Sequence, residues 1–263
     1  MSDISSIKKE QDKFSDGLIF EGMTSISAVI NSPSVNDRKI VKVLYDASKS
    51  RSKAKELSYL RHKSNELGFS IEAVSADKIN SITIGSSHGG IIAVCSDRRL
   101  PSLNEAQANI KSDGFYVMLE GIEDPYNFGY ALRSLYAAGV DGIILSPRNW
   151  MGAAGIVARA SAGASEMLPM FVASDASCVN VLKELGYKII CASIRNSVSI
   201  YDAEMKKPVF LIIGGEKRGI SASLLEKADN IVRIDYASGF KGSLSAASSA
   251  AIIGFEIMHQ NNN

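Results

Sequence analysis

The sequence predicts an α/β protein built on a mostly parallel sheet, with a smaller α/β domain ahead of it. Two observations carry this. From Gly114 onward, short apolar runs at 115–119, 142–145, 168–172, 188–192, 209–213 and 231–235 read as strands. Between them lie helical stretches at about 128–138, 151–160, 176–185, 220–227 and 245–258. Strands that alternate with helices imply parallel pairing and a sheet covered on both faces.

The earlier half has a different texture. The first residues are charged and weakly patterned, as expected of a frayed tail (1–19) or a first helix. Ile40 to Leu44, Ser70 to Val74 and Ile91 to Val94 read as strands. Ser52 to Leu67 carries Leu57, Leu60 and Leu67 at amphipathic helix spacing. Residues 20–99 therefore form a candidate small α/β domain. At 100–113 the apolar pattern lapses after a charged turn and Pro101, which predicts a linker. The main domain then runs 114–258, with a polar tail at 259–263.

Composition excludes more than it suggests. Of the 263 residues 46% are hydrophobic and 22% charged, ordinary for a globular chain. Lys and Arg total 29 against 28 acids, so any affinity for nucleic acid must come from local clustering. No apolar run approaches the roughly 20 residues that span a bilayer. The polar start lacks the apolar core of a secretory signal. Cys95, Cys178 and Cys191 are odd in number and embedded in apolar sequence, which predicts buried free thiols in a reducing cytoplasm. His62, His88 and His259 do not pair at ligand spacings, so no metal site is expected.

Three segments hold the chemistry, each after a predicted strand, where open α/β sheets bind ligands. The first is Asn127-Phe-Gly-Tyr-Ala-Leu-Arg133. Asn127, just after Pro125, is a good helix N-cap, and a capped helix with a packing glycine is a sufficient account of the segment. Arg133 is harder to dismiss, since its helix is otherwise small and apolar; it is either a surface group or one that reaches back to the strand ends. The second is Gly214-Gly-Glu-Lys-Arg-Gly219. It lacks the lysine of a phosphate-binding loop, and Glu216 replaces the central glycine of a dinucleotide fingerprint. An acid there would repel a pyrophosphate, despite Asp235 at the end of the next strand. A charged turn is the plain alternative. The third, Ser243 to Ala251, is almost wholly Ser and Ala. Small residues suit a tightly packed interface helix, and the start of that helix offers unpaired amides to a ligand.

Together and in this order, the three segments resemble the signature motifs of the SpoU/TrmH family of RNA ribose methyltransferases, in the SPOUT superfamily. The resemblance covers roughly Gly114 to Met258. It implies a carboxyl-terminal trefoil knot, S-adenosylmethionine as methyl donor, an RNA substrate (tRNA or rRNA) and a homodimer. It casts Arg133 as the catalytic residue, with Asn127, Glu216 and Ser243 beside it. Gly214, Gly215, Ile234 and Leu244 are cast as the cofactor-binding positions. Where the family usually reads Ser-Leu-Asn, this chain reads Ser243-Leu244-Ser245. Members often carry a ribosomal-protein-like substrate domain, and Ser87-His88-Gly-Gly-Ile-Ile matches its characteristic strand entry. The basic set there, including Arg38, Lys39, Lys53, Lys55 and Arg61, would with His88 contact RNA; a solvated helix face is the alternative. A guanidinium stays protonated in proteins, so Arg133 is expected to hold a phosphate and stabilise developing charge. Two other classes remain: a non-catalytic RNA-binding protein with an eroded third motif, and, more distantly, a dinucleotide oxidoreductase.

Overall fold

A computed structural model describes residues 18–85, 88–146, 150–173 and 175–262. The expectation for the amino-terminal tail falls almost wholly outside them. The chain divides into two compact units, Met1–Arg99 with Ala153–Met167, and Leu100–Gly152 with Leu168–Asn263.

In the first unit, β1 (Leu18–Glu21) runs directly into α1 (Gly22–Ile30), followed by β2 (Ile40–Asp46), α2 (Ala54–Leu67), β3 (Ser70–Val74), α3 (Ala76–Asn80) and β4 (Ile91–Cys95). The sheet order is β1-β4-β2-β3, with β4 antiparallel to both neighbours and β2 parallel to β3. Helix α1 has no counterpart in the sequence reading. Its residues, GMTSISAVI, open on glycine and carry β-branched side chains that favour strands. Burial of Ile26, Ala28, Val29 and Ile30 on one side overrides that preference.

The second unit begins with β5 (Phe115–Glu120), α4 (Pro125–Ala137) and β6 (Gly142–Leu145). After α5 (Ala154–Ala160) and α6 (Ala164–Met167) come β7 (Met170–Val172), α7 (Asp175–Glu184), β8 (Lys188–Ala192), β9 (Val198–Ser199) and β10 (Val209–Gly214). The chain ends with α8 (Ala222–Leu225), β11 (Asn230–Arg233) and α9 (Ala246–Asn261). Its sheet has the order β7-β6-β5-β10-β8-β11-β9, and all six strand pairs are parallel. The expected α/β class and parallel sheet are therefore observed.

Three boundaries differ from the sequence reading. Helices α5 and α6, expected within the main domain, cluster with the first unit. Gly155 is the reason at close range: a Cβ there would lie 1.9 Å from the Ile19 carbonyl oxygen, so only glycine lets α5 meet β1. Arg159 on α5 also pairs with Glu21 at 2.9 Å. The expected linker instead belongs to the second unit. Leu103 and Ala106 are buried in its core, and Pro101 and Leu103 exchange backbone hydrogen bonds with Val172 at the sheet edge. Finally, the polar tail is largely helix, since α9 continues to Asn261. The Gln260 amide accepts from Met205 N at 2.8 Å and donates to the Ala203 oxygen, while Asn261 accepts from Lys207 N at 3.0 Å. Those side chains satisfy the backbone of residues 203–207, which no strand would.

The cysteines are free and buried, as the sequence implied. Burial pushes the Cys95 and Cys191 thiols up to about 12, which keeps them protonated and inert. Among the described residues, no helix is long and apolar enough to cross a membrane.

Candidate active site

Strands β5 and β10 pair with Glu120 opposite Gly214, so the loops that follow them leave the sheet side by side. The first loop ends at Asp124, whose carboxylate accepts from the amides of Tyr126 and Asn127 and caps α4, with Pro125 at the first helical position. This corrects the expectation that Asn127 is the cap. Aspartate followed by proline is itself an N-terminal signature, so the signal was in the sequence. Because Asp124 takes the capping role, the Asn127 side chain is free for other work.

That side chain joins all three segments. Asn127 Nδ2 donates to Glu216 Oε1 at 2.7 Å, and its Oδ1 accepts from Ala247 N at 3.3 Å. A carboxamide is suited to this because it presents a donor and an acceptor on one planar group. Glutamate takes the donor, and an otherwise orphaned first-turn amide of α9 takes the acceptor. The Ala247 amide was invisible to sequence reasoning, since it lies 120 residues along the chain.

The β10 loop is pressed onto the β5 loop. Gly215 N donates to the Glu120 oxygen at 2.6 Å, and a Cβ on Gly215 would lie 2.1 Å from the Gly121 oxygen. Any other residue at 215 would push the loops apart. Ser221 N donates to the Glu120 carboxylate at 3.0 Å, and Lys217 pairs with Glu123 at 2.5 Å. The hydrogen bond from Lys217 holds the Glu123 carboxyl below its ordinary range. Gly214 is half-buried at the end of β10.

The third loop links β11 to α9. Ile234 and Leu244 are half-buried, and the Leu244 amide donates to the Tyr236 hydroxyl at 3.2 Å. The Tyr236 ring lies 5.8 Å from that of Phe240. Ser243 is exposed, and Ser245 caps α9 by accepting from Ser248 N at 3.1 Å. Ser and Asn are comparable N-caps, so the departure at this position preserves the cap. Asp235 is held below the usual carboxylate range by Ser199 and Arg233. It is thus engaged locally rather than offered to a ribose, as a dinucleotide site would require.

Arg133 is exposed on α4, and among the described residues it forms no ion pair. It shares a helix face with the exposed rings of Tyr126 and Tyr130. Helix α9 packs on α4 through its small residues, with the place of a Gly254 Cβ only 3.2 Å from Leu135. The expected close-packing role of the Ser/Ala helix is therefore met.

The expected RNA contacts divide. Lys39, Lys55 and Arg61 are exposed; Lys53 is half-buried and pairs with Glu56 at 2.8 Å; His88 is buried. Arg38 is a correction. Its Nε meets Glu166 Oε2 at 2.9 Å with both side chains essentially inaccessible, its Nη1 donates to the Ser96 oxygen, and the guanidinium sits 5.0 Å from the centroid of the Phe20 ring. It cannot reach a phosphate in this fold.

Glycine-bearing loops joined by one polar side chain at the carboxyl ends of parallel strands lie where open α/β sheets bind ligands. Comparison with known proteins gives the family. Residues 114–255 match the model of the SpoU rRNA Methylase family. The 23S rRNA (guanosine-2'-O-)-methyltransferase RlmB of Shewanella oneidensis is 30% identical over 207 residues, 78% of this chain and 84% of that protein. The chain belongs to the SpoU methylase family. The fold agrees with the AdoMet-bound rRNA methyltransferase of Sinorhizobium meliloti, at TM-score 0.76 and 23% identity over 96% of this chain and 91% of that one. It agrees equally with the SpoU methyltransferase AviRb of Streptomyces viridochromogenes in complex with AdoMet, at TM-score 0.75 and 21% identity over 94% and 91%.

Proposed function

We propose that this protein is an S-adenosylmethionine-dependent RNA methyltransferase acting on a ribose 2'-hydroxyl of ribosomal or transfer RNA, in the cytoplasm. The observation that carries the reading is the Asn127 joint, which fixes the first segment, the second-segment acid and the start of α9 as one site. Membership of the SpoU methylase family supplies the reaction class.

Gly214, Gly215, Ile234 and Leu244 are the positions proposed to hold the donor. Gly214 at the end of β10, Ile234 just after β11 and Leu244 just before α9 are half-buried, and Gly215 lets the loops after β5 and β10 approach closely. Such crowding also suits the trefoil knot, in which the segment before α9 passes through a loop of the chain. Bound there, S-adenosylmethionine supplies a methyl group already activated by its sulfonium charge. The chain's own residues have less to do, chiefly alignment and charge stabilisation. Arg133, exposed and without an ion-pair partner among the described residues, holds a phosphate of the substrate and offers N–H donors to the oxygen as its charge develops. Asn127 is a positioning residue, because its amide is used on protein groups. Ser243, exposed at the same loop, orients the ribose. The protein works as a homodimer, to which the exposed rings of Tyr130 and Phe255 offer apolar surface.

Labelled methyl transfer from S-adenosylmethionine to protein-free ribosomal and transfer RNA tests this. Label is expected in RNA with the wild type and at least a hundredfold less with Arg133→Ala. Near wild-type transfer by the variant would sink the role of Arg133, and no transfer by folded wild-type protein would sink the enzyme.

A further inference from the structure

The first unit contains a cavity of about 340 Å³ whose walls come from two distant parts of the chain. Glu21, Met23 and Thr24 at the start of α1 form one side, Lys53 and His88 another, and Arg159 of α5 closes it. The volume is in the range of small-ligand sites.

The cavity's spare hydrogen-bonding capacity is weighted towards donors. Glu21 accepts from Ile84 N at 2.7 Å and from Arg159 Nη1 at 2.9 Å. Glu56 is taken by Lys53. Both Glu21 oxygens and one Glu56 oxygen are thus engaged within the protein, while several donors of the lining are unused. The side chain of Glu21, at the N-cap of α1, bonds none of the first-turn amides, which leaves them turned out of a nine-residue helix. His88 is 92% buried (8% exposed), and its Nδ1 accepts from Gly90 N at 3.0 Å. The neutral ring must then carry its proton on Nε2, and among the described residues nothing accepts it. Burial lowers the imidazole pKa, which favours that neutral donor. Lys53 and Arg159 keep further N–H groups beyond their single carboxylate bonds.

With the α1 amides, His88 Nε2, Lys53 and Arg159 all offering N–H groups, the cavity favours a ligand rich in acceptor oxygens. We propose that this cavity is a subsite for one nucleotide of the RNA substrate, with its phosphate held by the α1 amino terminus, His88 Nε2, Lys53 and Arg159. The proposal rests on the RNA-modifying reading above and adds to it a defined point of contact. Formal charges of Lys53, Arg159, Glu21 and Glu56 cancel, so the selection comes from oriented donors rather than bulk attraction. Met23, Ile91 and Ala162 leave an apolar wall for the attached sugar or base.

The test uses the full chain, with protein-free ribosomal RNA as probe. Thr24→Glu places a carboxylate in the first turn of α1, a position that favours helix stability while repelling phosphate. It is expected to raise the RNA Kd at least tenfold and to lower the slope of log K against log salt by about one. Its melting temperature and its Kd for S-adenosylmethionine should match the wild type. His88→Ala is expected to weaken RNA binding in the same direction. Unchanged Kd and slope in both variants, with wild type that methylates RNA, overturns the subsite and leaves the enzyme standing. RNA binding that depends on Thr24 in a wild type that transfers no methyl group supports the subsite and overturns the enzyme. Inorganic phosphate and adenosine monophosphate are titrated in parallel. Saturation by either without any change in RNA binding for Thr24→Glu assigns the cavity to a free phosphate compound and overturns the RNA role.

Discussion

Two arginines show how differently the two units use the same side chain. Arg38 in the first unit is inaccessible, pairs with Glu166, donates to a backbone oxygen and sits near an aromatic ring. Arg133 in the second is exposed on a helix face, with no ion-pair partner among the described residues. A buried guanidinium whose donors are spent can hold a fold together but cannot meet a substrate. An exposed one adds little to stability and keeps its donors for a ligand. The comparison separates structural from chemical charge by partner and exposure, not by residue type.

Breaking the buried pair should have the largest effect. Arg38→Ala leaves the buried Glu166 carboxylate without its ion-pair partner, a change that costs about 3–5 kcal/mol, and should appear as a large loss in urea-unfolding stability. Replacing both partners by apolar residues, Arg38→Met with Glu166→Leu, removes the stranded charge and should recover most of that loss. If the single variant is as stable as the wild type, the pair is not structural. Arg133→Ala inverts the pattern. Unfolding stability should stay within about 0.5 kcal/mol, while methyl transfer falls by about 10²–10³, the scale of a lost charge-stabilising donor. A variant that loses stability and activity together would erase the contrast between the two arginines.

Asn127 sharpens the comparison, because it joins segments as Arg38 does, but at a half-buried place. Asn127→Asp keeps the shape and sets a carboxylate 2.7 Å from where Glu216 Oε1 now accepts. Stability should fall by roughly 1–2 kcal/mol, less than for Arg38, because water screens the repulsion. Activity should fall as well, and Asn127→Asp with Glu216→Gln should restore part of both. A double variant no better than the single would mean the joint is not the coupling.

Much of this was legible beforehand. The apolar runs placed each strand of the parallel sheet except the two-residue β9, because buried strands need side chains on both faces. The three polar segments followed those strands, so their convergence at one end of the sheet was implied by topology. Most of what escaped at the arginines and α5 shares one cause, contact across long sequence separation. Arg38 looked like part of a basic cluster because its partner is 128 residues away, and Arg159 meets Glu21 across 138. Helix α5 is small and apolar, and nothing in such a pattern says which unit it covers. By contrast, the cap at Asp124 was missed with its evidence at hand, since proline at the next position favours aspartate over Asn127.

The smallest predicted effect concerns Ser245, where the chain departs from its family's usual residue. Ser245 Oγ accepts from Ser248 N at 3.1 Å, and the following helix supplies Ala247 N to Asn127. The cap therefore helps to hold the amide that completes the Asn127 joint. Ser245→Ala should cost about 1 kcal/mol of stability through the lost cap, with a parallel fall in methyl transfer as the first turn of α9 frays. Ser245→Asn offers an equivalent cap and should change stability by only a few tenths of a kcal/mol. If the asparagine variant gains activity manyfold at unchanged stability, residue 245 touches the substrate directly. If both measures stay level, serine and asparagine are interchangeable because each serves the helix end.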